Sequence, residues 1–130
     1  MAVPTYDEFF LPLLSLLAER HQVSFGEAKD LLAERMGISD EDRDQLLPSG
    51  RQSRYDNRVG WARTYLTKAG LVRSVQRGVY ELTESGKQFM SGNPSSVTVE
   101  SLMVFAPFRE WREAYKGATS ASAGALLQKS

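Results

Sequence analysis

The sequence predicts a mainly α-helical fold with one small β-hairpin. Two observations carry that prediction. Apolar residues recur at helical spacing behind capping residues from Thr5 to Gly70. Only residues 71–82 read as two β-rich runs around a turn. A third observation adds a helical extension: a break at Gly92-Asn93-Pro94-Ser95-Ser96, then spaced aromatic and aliphatic residues. The chain has 130 residues, 42% hydrophobic and 25% charged, which is the size and composition of one soluble domain with an appendage.

Each element has a local reason. Thr5 can cap the first helix, with Glu8 as its reciprocal partner three residues on. Phe9, Leu13, Leu16 and Leu17 then mark one helical face. Pro12 lacks an N–H, so it kinks this helix or marks its true start. After Val23, Ser24 and Glu27 spell a second capping box before Ala28, Leu31 and Leu32, and Gly37 suits the left-handed position after Met36. Ser39, followed by Asp40, Glu41 and Asp42, starts a short helix that ends before the loop Pro48-Ser49-Gly50.

Ser53 and Asp56 open the next helix, which runs to about Ala69 and stops at Gly70. Tyr55, Val59, Ala62, Leu66 and Ala69 form its apolar side. Arg54, Asn57, Gly60, Trp61, Thr64 and Lys68 form the other, flanked by Arg58 and Arg63. Leu71 to Val75 reads as a strand, Gln76-Arg77-Gly78 as a turn, and Val79 to Leu82 as the returning strand. Thr83 caps a short helix through Phe89 and Met90. Residues 98–116 read as helical on Leu102, Met103, Phe105, Phe108, Trp111 and Tyr115, interrupted or kinked at Pro107. From Gly117 onward, Ser, Ala and Gly dominate, which reads as a linker or disordered tail. The expected organisation is a main domain over 1–94, a helical extension over 95–116 and a tail over 117–130.

Composition excludes several classes. With no cysteine, disulfide frameworks, cysteine nucleophiles and Cys-based zinc sites are out. One histidine, His21, rules out a two-histidine zinc helix. No apolar run has membrane-spanning length, and Asp7 and Glu8 with no basic start do not read as a signal peptide. The expectation is a cytoplasmic protein without membrane partners.

Charge is neutral overall but segregated. Residues 1–46 hold four basic groups against ten acids, a net of −6. Residues 47–80 hold seven basic groups and only Asp56, a net of +6. A concentrated basic segment points to nucleic acid, while the bland alternative is arginines paired with the acidic segment.

Helices, then a basic helix followed directly by a hairpin with a basic tip, is the winged helix-turn-helix arrangement. A helix of this length can enter a major groove, and Arg77 at the hairpin tip can reach a phosphate. Arg54, Asn57 and Arg58 lie in the first turns of that helix, the part that reaches base edges; Arg suits a guanine edge and Asn an adenine edge. Thr64, Lys68, Arg73 and Arg77 are candidate phosphate contacts, with Arg51 in the preceding loop a weaker one. Trp61 either stacks on nucleic acid or packs over Gly60 toward a neighbouring helix.

Catalytic readings are poor. Glu27-Ala28-Lys29 has the Glu-x-Lys spelling of a metal-dependent nuclease, with Asp7 upstream. All of these fall in expected helices, and Glu27 is better explained as a capping residue. Ser24 has a complete explanation as a cap, and His21 sits at a helix end. No catalytic or metal-ligating residue is assigned.

Residues 1–90 resemble the N-terminal domain of Mrr-family restriction-system proteins. The resemblance rests on Val3-Pro4-Thr5-Tyr6-Asp7, Asn57-Arg58-Val59-Gly60-Trp61-Ala62, Lys68-Ala69-Gly70-Leu71, and Arg77-Gly78-Val79-Tyr80-Glu81-Leu82-Thr83 closing on Gly86. It implies a winged helix that recognises double-stranded DNA, methylated in some cases, for a modification-dependent endonuclease. It also implies that cleavage belongs to a separate C-terminal nuclease domain in cis, with Mg²⁺, carboxylates and a lysine. The chain reaches Ser130 where such a domain would begin, so no cofactor is expected within it. Two alternatives share the fold: a transcription regulator that dimerises through 98–116, and a protein-interaction module whose basic face meets an acidic partner.

Overall fold

In the computed structural model, which describes residues 3–117, Pro12 lies in the first turn of α1 (Phe10–Arg20). A missing N–H is tolerated there because first-turn donors have no helical partner. Pro12 therefore marks a start and not a kink. Upstream, Tyr6–Phe9 is a separate 3-10 turn, with the Glu8 carboxylate accepting from the Thr5 N–H at 2.7 Å.

His21, at φ 61°, turns the chain out of α1 into β1 (Gln22–Ser24). This strand was not expected, since three residues are too few to show a period. Ser24 ends it and caps α2 (Phe25–Arg35), its Oγ accepting from the Glu27 N–H at 3.1 Å. The expected return bond from the Glu27 side chain is not part of this cap, so it is one-sided. Gly37, at φ 66°, closes α2: its N–H reaches the Glu34 carbonyl while the Ile38 N–H reaches Ala33 at 2.9 Å. Next come α3 (Asp40–Arg43) and α4 (Arg54–Lys68).

The hairpin is β2 (Val72–Gln76) and β3 (Val79–Leu82), and β1 pairs with the free edge of β3 to give the antiparallel order β1-β3-β2. The register shifts between Ser74 and Gln76, which leaves Val75 as a bulge just before the tip. The Gly78 carbonyl at the tip accepts from the Phe25 N–H at 2.8 Å, so the wing is tied back to α2.

Then come α5 (Glu84–Ser91), α6 (Val99–Leu102) and α7 (Ala106–Gly117). Thr83 caps α5 by accepting from the Gly86 N–H at 3.0 Å. A Cβ at Gly86 would run into the Leu71 carbonyl, so the close approach of α5 to the start of β2 requires glycine. The extension is two helices rather than one; Pro107 sits in the first turn of α7, again where its missing donor is harmless.

One core joins all of this. Phe9, Phe10, Leu14, Leu16, Leu32, Tyr55, Val59, Leu66 and Leu71 are fully buried, and so are Leu102 and Phe108 from the extension. The two aromatic and aliphatic anchors of 98–116 thus pack against the same core as α1 and α4. Of the tail read from sequence over 117–130, Gly117 belongs to α7 and residues 118–130 lie outside the described residues. Among the described residues, no helix is long and apolar enough to cross a membrane.

Candidate nucleic-acid interface

Helix α4 is fixed at both ends. Its start is capped by Ser53, whose Oγ accepts from the Asp56 N–H at 3.0 Å. The preceding loop folds back on itself: the Leu47 N–H reaches Gln52 at 3.0 Å, Gly50 turns at φ 70°, and the Arg54 N–H reaches Gln45 at 2.7 Å. Its end is a second left-handed closure at Gly70, φ 80°, where the Leu71 N–H reaches Leu66 at 3.1 Å. The closure aims the chain directly into β2, so helix and hairpin are held in one orientation.

The inner face follows the sequence pattern. The Tyr55 hydroxyl, fully buried, donates to the Lys29 carbonyl at 2.6 Å, and burial pushes its pKa up to about 12.

One side of α4 is covered by aromatic rings. Tyr65 is the hub, with ring centroids 4.9 Å from Tyr6, 5.3 Å from Trp111 and 5.6 Å from Phe108. Burial, then the neighbouring Tyr6, raises the Tyr65 hydroxyl pKa. Trp61 lies on this side, only 7% exposed, with its ring 6.1 Å from Tyr65. It packs, and so leaves the outward face on which the helical wheel put it.

Arg58 is also turned inward. Its Nη1 donates to the Val3 and Pro4 carbonyls at 2.8 and 3.2 Å, which pins the N-terminal segment across α4. Among the described residues no ion pair joins Arg58 to Asp56, which lies 3.4 Å from Lys29 instead, while Glu8 of the N-terminal segment acts on Arg58 electrostatically. Burial lowers the Arg58 pKa, and the nearby Arg54 charge lowers it further. Arg54 is half-buried, and its Nε is enclosed with no partner. On the opposite side, Arg63 stacks over Phe25 at 4.3 Å and Tyr80 at 5.6 Å. Its flanking position was read from sequence, but that role was not.

What remains outward on α4 is Asn57, Thr64, Thr67 and Lys68; Gly60, placed on that face by the helical wheel, is buried. Asn57 donates from Nδ2 to Gln52 at 3.3 Å, Thr64 is half-buried, and Thr67 and Lys68 are exposed. The outward face is therefore small and polar with one charge, not densely basic. In the hairpin, Arg73 forms a two-point pair with Glu81, donating from Nε at 2.6 Å and from Nη2, and this holds the Glu81 carboxyl below its usual pKa. Arg73 is still 64% exposed. Arg77, at the tip, and Arg51, in the loop before α4, are exposed and make no ion pair with a described residue.

Beside the first half of α4 lies a cavity of about 400 Å³. Tyr6, Trp61 and Tyr65 form its aromatic wall, Asn57 and Arg58 its polar side, and Leu47, Pro48 and Ser49 its rim. Sequence reasoning missed it because its parts lie far apart in the chain. Glu27 and Lys29 sit on α2, and Lys29 pairs with Asp56. Among the described residues, no group of three His, Asp or Glu side chains is arranged to hold a metal ion.

Comparison with known proteins follows the same lines. A stretch of 99 residues is 36% identical to the Type IV methyl-directed restriction enzyme EcoKMrr of Escherichia coli (strain K12). That alignment takes in 75% of this chain but 32% of the relative, so the chain spans about a third of the protein it matches. No solved structure matches. A family model described as the Mrr N-terminal domain matches residues 6–91, the span from the opening turn through α5. The chain belongs to the Mrr N-terminal domain family.

Proposed function

We propose that the chain binds double-stranded DNA as the target-recognition domain of a methyl-directed restriction endonuclease. The observation that carries this reading is the division of labour among the basic groups of residues 47–80. Arg54, Arg58 and Arg63 face the fold, whereas Arg51, Lys68 and Arg77 stand exposed at the two ends of α4 and at the wing tip. Cations without acid partners flanking a small polar helix face suit a duplex backbone, with Asn57 and Thr64 toward base edges. The relative's name, a methyl-directed restriction enzyme, supports the same reading. On this view cleavage and its Mg²⁺ belong to a nuclease domain in cis, and the cytoplasm is where such a protein meets DNA.

The dimeric-regulator alternative loses force, since Leu102 and Phe108, two of its expected interface anchors, are fully buried within the chain. The test is fluorescence anisotropy with one labelled duplex, methylated and unmethylated. Binding that weakens about tenfold or more in a Lys68→Ala/Arg77→Ala double variant supports the proposal. A folded chain that binds neither duplex at low salt refutes it.

A further inference from the structure

The cavity beside α4 joins three features that rarely meet by accident of packing. Its wall is aromatic: Trp61 and Tyr65 stand at 84° to one another, and Tyr6 closes the corner at 55° to Tyr65. A flat ring lying on one of these meets the edge of another, a favourable arrangement for π-systems. Its polar side is an amide and a guanidinium, Asn57 and Arg58. Arg58 uses only Nη1 toward Val3 and Pro4, leaving Nη2 and Nε for another acceptor. Finally, positive charge is concentrated there. Arg54, behind the cavity lining, stands one turn from Arg58 and its charge disfavours the Arg58 cation, and the Arg54 Nε has no acceptor among the described residues. An anion beside them would relieve that repulsion.

An aromatic wall calls for a flat ring, an amide for a ring edge with donors and acceptors, and a guanidinium group for a phosphate. A nucleotide supplies all three. The volume of about 400 Å³ is within the roughly 300–1,000 Å³ of small-ligand sites. Asn57 belongs both to the outward face of α4 and to the cavity, so the mouth opens where the proposed duplex would lie.

We propose that this cavity receives a single base swung out of the duplex, its ring against the aromatic wall, its edge at Asn57 and its phosphate at Arg58. This rests on the DNA-binding reading and deepens it: the outward face holds the duplex while the cavity inspects one nucleotide.

The experiment compares two duplexes of one sequence, fully paired and with a single unopposed base, at one salt concentration. Extruding a paired base costs a few kcal/mol that an unopposed base does not, so the second duplex is expected to bind at least about tenfold more tightly. Ser49→Trp, an exposed rim substitution that leaves the core untouched, is expected to abolish that preference while binding to the paired duplex persists. Trp61→Phe and Asn57→Ala are expected to reduce it, with folding checked by thermal melts. Equal affinity for both duplexes in the parent, with salt-sensitive binding intact, overturns the cavity proposal and leaves DNA binding standing. So does a preference that survives Ser49→Trp. Binding of neither duplex by folded protein overturns both.

Discussion

Gly60 is the sharpest probe of α4. It is the seventh residue of a fifteen-residue helix, where glycine costs about 0.5–1 kcal/mol relative to alanine through backbone entropy. The fold offers no compensating reason for it: a Cβ would meet only Arg63 Nη2 at 3.9 Å, an ordinary contact with a movable group. Gly60→Ala is therefore expected to stabilise the chain by about 0.5–1 kcal/mol, raising Tm by roughly 2–6 °C. The same residue lies between Asn57 and Thr64 along the helix but is itself buried, so the face is probed from its neighbour. A bulky side chain at the next outward position, Thr64→Trp, starts from a half-buried site and should leave the core intact yet hold a duplex away and weaken binding about tenfold or more. Thermal unfolding and duplex anisotropy on the two variants read both effects. A fall of several degrees in Tm for Gly60→Ala would show the packing argument to be wrong. Unchanged DNA affinity in a folded Thr64→Trp variant would show that the duplex lies elsewhere.

Other expectations follow from individual contacts. Counting Arg51, Lys68 and Arg77 as phosphate contacts, with Arg73 as a partial fourth and Arg58 as a further one where a base is swung out, the slope of log K against log salt should be about −3 to −5 at roughly 0.9 per contact; a slope steeper than about −6 would mean that Arg54 and Arg63 also reach DNA. Glu81→Gln removes the charge that holds Arg73, so it should tighten duplex binding and add up to about one to that slope, as measured by the same titration. Gly86→Ala forces a methyl against the Leu71 carbonyl and should destabilise at or beyond the upper end of the roughly 1–3 kcal/mol typical of overpacking, read from the denaturation midpoint. The Glu19–Arg35 and Glu81–Arg73 pairs hold both carboxyls below the ordinary carboxylate range. Their stabilisation is complete above the unfolded pKa and fades as pH falls through the lower folded values, so acid titration should show only a shallow loss below about pH 4.5 for these solvated pairs.

Much of the fold was legible because local chemistry fixed it. Ser53, Gly70 and Thr83 sit where capping and left-handed geometry place them, and the returning strand Val79–Leu82 has the bounds that its β-branched and aromatic residues suggest. Strand β1 was not legible: it is three residues long and owes its existence to β3, an edge fifty-odd positions downstream. The two proline ambiguities were resolved by register, since both Pro12 and Pro107 sit in first turns, which periodicity alone does not distinguish from kinks. The candidate interface was read only in outline. Residue type made Arg58, Trp61 and Arg73 candidate DNA contacts. Their directions were decided instead by distant partners: the carbonyls of Val3 and Pro4, the Tyr65 cluster, and Glu81 across the hairpin. Charge counts over a segment do not register such pairing, and the aromatic cavity, assembled from Tyr6, the loop at 47–49 and α4, has no local signature at all.

The central claim is that the outward face of α4 and the wing tip meet duplex DNA. Backbone amide chemical-shift mapping, adding an unlabelled duplex to the isotope-labelled chain, tests it residue by residue. The account predicts that the largest changes fall on Arg51, Asn57, Gly60, Thr64, Lys68 and Arg77, with α7 and the exposed Met103 and Val104 unmoved. Changes concentrated on Met103, Val104 and α7, with α4 and the hairpin silent, would contradict it.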